Sequence, residues 1–258
     1  MKLHLITVAT HEQGYFENLK QTCETHGVDL VVLGWGQPWK GFTYKINLVQ
    51  DYSKTLSPDD VVMFIDAFDT IVLRPQNEIV EEFLRFEKDF SGKIWMSFEQ
   101  THPDPLFRHF KNEIFSNVNL NSGTYIGRVV HLQKLWERTL QVSQEIHSKD
   151  DQTCLSYIYE NDADRGNMVL DETHTLAHVL LAKSSLVPFL PSQKTFTVQE
   201  GKLRVRQSFP IILHAPGNMN MNSILKRLGI APSRNGLQTT MQYLKYCTLT
   251  SWLLKKNK

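Results

Sequence analysis

A chain of 258 residues, 41% of them hydrophobic, is long enough to bury a full core as one large domain, with or without a small appendage. Its 28 Lys and Arg stand against 27 Asp and Glu, so no general excess of positive charge draws it to nucleic acid or an anionic membrane. No window of about 18 apolar residues is present to span a bilayer, and any anionic ligand must be held by a local site.

The amino-terminal MKLHLITVAT is polar by its fourth residue, so Leu3 to Ala9 reads as a first strand and not as a signal peptide's apolar region. The default expectation is therefore a cytoplasmic protein. Helical spacing at Phe16, Leu19 and Cys23 predicts a helix over Glu12 to His26, stopped by Gly27. A second strand covers Asp29 to Leu33, a turn-rich GWGQPWKGF follows, and a helix is expected from Lys45 to Leu56. After SPDD comes the apolar run VVMFI, a third strand. Asn77 to Phe90 is amphipathic, with Ile79, Phe83, Phe86 and Phe90 on one face and Asn77 as its expected cap. Lys93 to Phe98 reads as a short strand, NSGTYIG (Asn121 to Gly127) as a small-residue turn running into a strand, and His131 to His147 as a helix. Phe209 to Leu213 is an apolar strand ending at His214, and a terminal helix is expected over Leu237 to Leu254 before the basic KKNK. Strands alternating with helices imply a mainly parallel sheet covered on both faces, an α/β fold of Rossmann-like type. The cysteines Cys23, Cys154 and Cys247 lie far apart without a CxxC pair and read as structural.

The stretch FIDAFDT (Phe64 to Thr70) places Asp66 and Asp69 at the mouth of the third strand. In an open parallel sheet ligands collect outside the carboxyl ends of the strands. Two carboxylates that close repel unless a cation compensates, and a hard divalent ion does so. A local turn in which both bond backbone N–H groups is the equal alternative. His214 emerges from a second strand end, PIILH; alone it reads as structural more often than as a ligand, yet it would complete an Asp, Asp, His set suited to manganese. Neither a GxxxxGK[ST] loop nor a GxGxxG after the first strand is present, so a metal carrying the phosphates of a nucleotide sugar gains ground. Asp150 and Asp151 read first as the N-cap of a helix over Thr153 to Glu160. His174 and His178, four apart and near Asp171, have a ligand-like look on a helix face, but without the HExxH glutamate a second metal is not expected.

ITVAT, LGWGQPWKG, YKINLV, FIDAFDT, SFE, NSGTYIG, KDDQ, MVLD and PIILHAPG occur in the same order as in the glycosyltransferase domain of the multifunctional procollagen lysyl hydroxylases, a likeness spanning about residues 3 to 218. The chain resembles that family. The resemblance implies a GT-A fold and a manganese-dependent, retaining transfer of glucose from UDP-glucose to galactosyl-hydroxylysine on a collagen-like protein or glycopeptide. It further implies that Asp66, Asp69 and His214 hold Mn2+ on the UDP phosphates. Val8 and Thr10 would line the uridine pocket, Trp39 and Lys45 contact the donor, and Phe68 stack on the uracil where the family has tyrosine. Asp150 and Asp151 match the family's acidic cluster near the transferred sugar, where a carboxylate stabilises an oxocarbenium-like centre or orients the attacking hydroxyl. Gly217 keeps its place in the turn after His214, whereas Ala215 and Pro216 replace the family's glycine and asparagine and Asn220 stands where a lysine is expected. The approach to Lys45 is shortened to GFTYK, and the hydroxylase domains are missing. The expectation is a free-standing, single-domain transferase with a helical extension over about 222–258. Transfer of galactose from UDP-galactose to hydroxylysine or a glycan, and an inactive nucleotide-binding module, stay open beside it.

Overall fold

Nearly continuous apolar runs make the first strands of the computed structural model, in which residues 1–103, 118–184, 189–234 and 241 are described. Three of them, β1 (Leu3–Val8), β2 (Leu30–Leu33) and β3 (Val61–Ile65), lie parallel. The chain continues through a short β4 (Thr70–Val72), β5 (Ile94–Phe98), β6 (Leu120–Arg128) and β7 (Met168–Leu170). The central six-stranded sheet has the order β2-β1-β3-β6-β5-β7, and within it β6 alone runs against its neighbours. A smaller sheet has the order β4-β11-β8, where β8 is Ala177–Val179 and β11 is Ile212–His214. A hairpin of β9 (Thr197–Gln199) and β10 (Lys202–Arg204) stands beside it.

Both faces of the central sheet are covered, which is why β3 is apolar at every position. Val61, Met63 and Ile65 pack with Phe16, Leu19 and Cys23 of α1 (Phe16–Thr25) and with Ile79, Phe83 and Phe86 of α3 (Gln76–Asp89). Val62 and Phe64 pack on the other side with Ile46 and Val49 of α2 (Phe42–Ser53), Leu132 and Trp136 of α4 (Val129–Glu145), and Leu155 and Ile158 of α5 (Asp151–Asn161). A third core joins Ile71 and Leu213 of the small sheet to Leu203 of the hairpin and to Ile224 and Leu225 of α6 (Asn222–Arg227). No helix among the described residues is long and apolar enough to cross a membrane.

Several expected boundaries move, each for a local reason. Helix α1 begins at Phe16, not Glu12, because Gly14 takes a left-handed φ of 63° and the Tyr15 N–H is spent on the Phe68 carbonyl at 2.7 Å. Helix α2 starts at Phe42 behind Gly41 and ends at Ser53. Asn77 is not the cap of α3: Pro75 takes that place, its carbonyl accepting the Ile79 N–H at 3.2 Å, and Asn77 lies in the first turn. The strand expected at the end of NSGTYIG is present, but the turn expected before it is strand as well: the whole stretch lies in β6, paired on one side with β3 and on the other with β5 across an irregularity between Met96 and Ser97. The last strand holds Ile212 to His214 and leaves Phe209 outside, 46% exposed. Cys23 and Cys154 are buried free thiols. Cys247 and the helix expected over Leu237 to Leu254 lie outside the described residues, apart from an exposed Met241.

Candidate metal and donor site

Strand β3 ends at Ile65, and the Asp66 N–H then donates to the Gly123 carbonyl of β6 at 2.8 Å, which seats the aspartate at the carboxyl end of the sheet. The chain turns through Ala67 and Phe68 and re-enters pairing as β4, antiparallel to β11 with Thr70 opposite His214. The Ala215 N–H donates to the Asp69 carbonyl at 2.8 Å. That register brings the imidazole to the carboxylates. His214 Nε2 lies 3.4 Å from Asp69 Oδ1 and 3.9 Å from Asp66 Oδ2, and one donor atom from each residue falls within 4.8 Å of the others. His214 and Asp69 are buried, while 32% of the Asp66 side chain remains open to solvent.

The electrostatics of the cluster are those of a largely buried anionic site. Burial would push His214 down, but Asp69 and Asp66 beside it hold its pKa above the usual histidine value. Burial would likewise raise Asp66, yet Lys45 and His214 hold it below the ordinary carboxylate range. A cation fits: two carboxylates and an imidazole supply the mixed oxygen and nitrogen donors that suit a manganese-type ion. The space is kept open by Gly123, where a Cβ would stand 2.3 Å from His214 Cε1 and 2.6 Å from Asp66 Oδ2.

Lys45, itself buried, joins the cluster from α2: its Nζ is 3.1 Å from Asp66 Oδ1 and 2.6 Å from Asp151 Oδ2, and it sits 5.0 Å from the centre of the Phe64 ring. Burial opposes its charge, but Asp151 and Asp66 outweigh burial and push its pKa up. The neighbouring aspartates separate in role. Asp150 is the cap of α5, its Oδ2 accepting from the Thr153 N–H at 2.8 Å and the Thr153 hydroxyl at 2.6 Å. Asp151 faces Lys45 instead, and burial against that ion pair, with Asp150 and Asp66 near, pushes it up to about 6.

Of the residues expected on the nucleotide side, Thr10 and Phe68 are linked through His11. Val8 is buried at the end of β1, and the Thr10 hydroxyl meets His11 Nδ1 at 2.9 Å. The His11 ring is 5.7 Å from Phe68, and Phe16 lies between Phe68 at 6.4 Å and a stacked Trp35 at 5.4 Å. Trp39 is 47% exposed and packs edge-on against Tyr44 and against Phe42, 5.6 Å away, whose ring lies under Lys45. Gly217 keeps a left-handed φ of 69°, and the next N–H, of Asn218, points at Asp69 Oδ2 over 3.4 Å. Ala215 and Pro216 lead into that turn, the Ala215 N–H bonded to the Asp69 carbonyl at 2.8 Å.

Residues that sequence reasoning passed over also face this end of the sheet. Asn121 Oδ1 accepts the Gly123 N–H at 3.0 Å, and Gln152 Oε1 accepts the Ser122 N–H at 3.4 Å. Glu99, reached by Asn121 Nδ2 at 3.4 Å, adds negative charge toward His214. The only sequence signal for them was their place inside SFE, NSGTYIG and KDDQ.

His174 and His178 do not share a helix. His174 sits in a left-handed turn with φ 58°, His178 is in β8, and their rings meet edge to face at 5.5 Å. Asp171 holds the N–H groups of Thr175, Leu176 and Ala177 at 3.1, 2.7 and 3.1 Å, so its carboxylate is spent on the turn. Burial, with His174 adding to it, pushes His178 down to about 3. The unfolded chain thus takes up a proton that the folded one refuses. Stability contributed by neutral His178 is present above pH 6.5 and is lost as pH falls toward 3. Each unit in that window costs up to about 1.4 kcal/mol. Urea unfolding at pH 7.5 and pH 5 is expected to show a smaller acid loss for His178→Phe than for the wild type; equal losses would dispose of the assignment.

A family model described as the PLOD GT domain matches residues 1–232. The procollagen-lysine,2-oxoglutarate 5-dioxygenase of Drosophila melanogaster is 24% identical over 181 residues, covering 66% of this chain and 24% of that protein. The multifunctional procollagen lysine hydroxylase and glycosyltransferase of Caenorhabditis elegans is 24% identical over 182 residues, with the same shares. Procollagen-lysine,2-oxoglutarate 5-dioxygenase 2 of Homo sapiens is 23% identical over 238 residues, or 84% of this chain and 30% of that one. The chain thus spans less than a third of the length of the curated relatives it matches. Among solved structures, a glycosyltransferase involved in the glycosylation of the major capsid of PBCV-1 superposes with a TM-score of 0.48 and 11% identity, covering 69% of this chain and 85% of that one. Because the family match takes in every residue of the cluster from Val8 to Gly217, the chain belongs to the PLOD GT domain family of glycosyltransferases.

Proposed function

We propose that the protein transfers glucose from UDP-glucose to galactosyl-hydroxylysine on a collagen-like protein or glycopeptide, with retention of configuration. The observation that carries this reading is the convergence of Asp66, Asp69 and His214 at the carboxyl end of the sheet, backed by a buried Lys45. These three side chains would hold Mn2+, which when bound neutralises the charge that gathers on a departing diphosphate. Lys45 adds a second, permanently charged group on the same side, its ammonium fixed by two carboxylates so that no reorganisation is needed. Val8, Thr10 and the Phe68 ring would receive the uridine, Trp39 would close on the donor from the exposed loop, and the Gly217 turn would face the phosphates. Asp151 would steady a developing positive sugar centre or orient the incoming hydroxyl.

The reading is tested by UDP release from UDP-glucose in the presence of a galactosyl-hydroxylysine peptide, with and without Mn2+. Asp66→Ala is expected to remove metal-dependent release by at least about a hundredfold, since one of three ligands is gone. A panel of UDP-sugars decides the donor, and faster release from UDP-galactose would replace glucose in the proposal. No release with any UDP-sugar at saturating Mn2+ would leave a nucleotide-binding module. The two neighbouring aspartates should also part company. Asp151→Asn is expected to lower kcat on the order of a hundredfold, whereas Asp150→Asn should change little, because asparagine caps a helix as well as aspartate. Full turnover in the Asp151 variant would remove its assigned role.

A further inference from the structure

We propose that Tyr15 is a positioning residue that fixes the two ligand-bearing loops relative to each other, an inference that rests on Asp66, Asp69 and His214 forming a metal site. Those loops come from distant parts of the chain, and direct hydrogen bonds between them run from Ala215 N–H to the Asp69 carbonyl at 2.8 Å and from Asn218 N–H to Asp69 Oδ2 at 3.4 Å. Tyr15 spans the remainder. It is fully buried just ahead of α1, and its N–H donates at 2.7 Å to the carbonyl of Phe68, the residue before the ligand Asp69. Its hydroxyl accepts the Met221 N–H at 2.8 Å and donates to Asn222 Oδ1 at 2.8 Å, both just beyond the turn that follows His214.

The residue before it makes the same bridge by contact. Gly14 takes a left-handed φ of +63°, and a Cβ there would lie 2.1 Å from the Phe68 carbonyl oxygen and 2.4 Å from Asn218 Oδ1. Gly14 and Tyr15 are thus wedged between the loop that ends at Asp69 and the loop that begins at His214. Burial of the ring alone would be met equally well by phenylalanine. What tyrosine adds is a hydroxyl with one proton to give and one to receive, both used on the far loop, so it fixes direction as well as distance. From outside, the segment after α6 closes over the ring: Asn222 Nδ2 donates to the Arg234 carbonyl at 2.8 Å, and the Arg234 guanidinium lies 5.4 Å from the ring centre. Removing the hydroxyl takes away the bonds to Met221 and Asn222 that tie the far end of the His214–Asn222 segment to the Phe68–Asp69 loop, and the ligand set loosens with it.

The experiment measures Mn2+ binding directly, by the loss of the free-ion paramagnetic signal on titration, beside thermal unfolding of the metal-free protein. Tyr15→Phe is expected to raise the Mn2+ dissociation constant roughly tenfold, the usual effect of losing a group that orients a ligand, while still unfolding cooperatively. Asn18→Ala is the contrast. Asn18 holds the same outer segment on α1, donating to the Ala231 carbonyl at 2.8 Å and accepting from the Ser233 N–H at 2.9 Å, but makes no bond to either ligand loop. It should lower the melting temperature and leave Mn2+ binding unchanged. Wild-type affinity in Tyr15→Phe, or equal weakening in Asn18→Ala, overturns the positioning role. Should Tyr15→Phe fail to fold, Asn222→Ala removes the acceptor of its hydroxyl, and unchanged Mn2+ binding there overturns the role as well. A wild-type protein that binds no Mn2+ overturns the metal site itself, a result distinct from a wild type that binds and a Tyr15 variant that binds equally.

Discussion

Gly123→Ala is expected to abolish Mn2+-dependent turnover while leaving the fold in place. No left-handed conformation is at stake at this residue; what matters is the space beside it. Its added methyl would lie 2.3 Å from His214 Cε1, 2.6 Å from Asp66 Oδ2 and 3.0 Å from His214 Nδ1. The first contact is more than an ångström short of an ordinary carbon–carbon approach of about 3.5 Å. His214 cannot yield freely, since it is buried in β11, and the Asp66 carboxylate yields only by swinging out of the ligand set toward solvent. The ligand set must therefore open. A displacement of about 1 Å in a reacting constellation costs on the order of a hundredfold in rate, and kcat/KM is expected to fall at least that far, together with Mn2+ affinity. Gly127→Ala on the same strand is the control. Its methyl would meet Ile94 and Leu132 side chains at 3.2 and 3.3 Å, which can give by a few tenths of an ångström, so turnover should stay near wild type. Equal behaviour of the two variants would show that the gap beside His214 has no role in the site.

Lys45→Met should be the most destabilising single change at the site and should also stop turnover. The side chain is 5% exposed and its ammonium is shared by Asp151 at 2.6 Å and Asp66 at 3.1 Å. Methionine fills a similar volume but leaves two carboxylates facing each other without their cation, and Asp151 is nearly as buried as the lysine. Breaking a buried pair by removing one partner costs about 3–5 kcal/mol, because the remaining charge has lost both water and its counterion. Urea unfolding of the metal-free protein measures it. The double variant Lys45→Met, Asp151→Asn should recover most of that stability, since the stranded charge is removed, and recover none of the activity. A loss under about 1 kcal/mol in the single variant would mean that solvent screens the pair as it does on a surface.

How far the chain's own order of residues reaches is clearest at β3 and at the loop beyond it. An apolar run with alternate residues on two covered faces, Val61 to Ile65, had to be a central strand, and the periodic Ile79, Phe83 and Phe86 had to be one face of a helix. Those features are local or periodic, so the residues themselves settled the α/β class, the near-parallel sheet and the position of Asp66 at a strand end. The motifs in their order were enough to suggest the family that the match over residues 1–232 then showed. Element ends were legible only where the cause was local. Gly14 and Gly41 moved two helix starts through backbone angles, and Pro75 displaced Asn77 as a cap. The three-residue β4 has no period to read, and the expected turn at the start of NSGTYIG is strand from Leu120 onward because small residues serve a crowded strand as well as they serve a bend.

Tertiary structure decided the rest. That Asp66, Asp69 and His214 share one space depends on the antiparallel register of β4 with β11, which pairs Thr70 with His214. That register is enforced by packing and by cross-strand hydrogen bonds, and no spacing along the chain encodes it. The division between Asp150 as cap and Asp151 as partner of Lys45 exists only once α5 has packed near enough to α2 for the ion pair to form. The same holds for the removal of His174 and His178 from any ligand set, and for the bridge that Tyr15 makes between the loops of Asp69 and His214. A sequence carries chemistry and period, whereas the distance between side chains from separate elements exists only once the sheets and helices have packed.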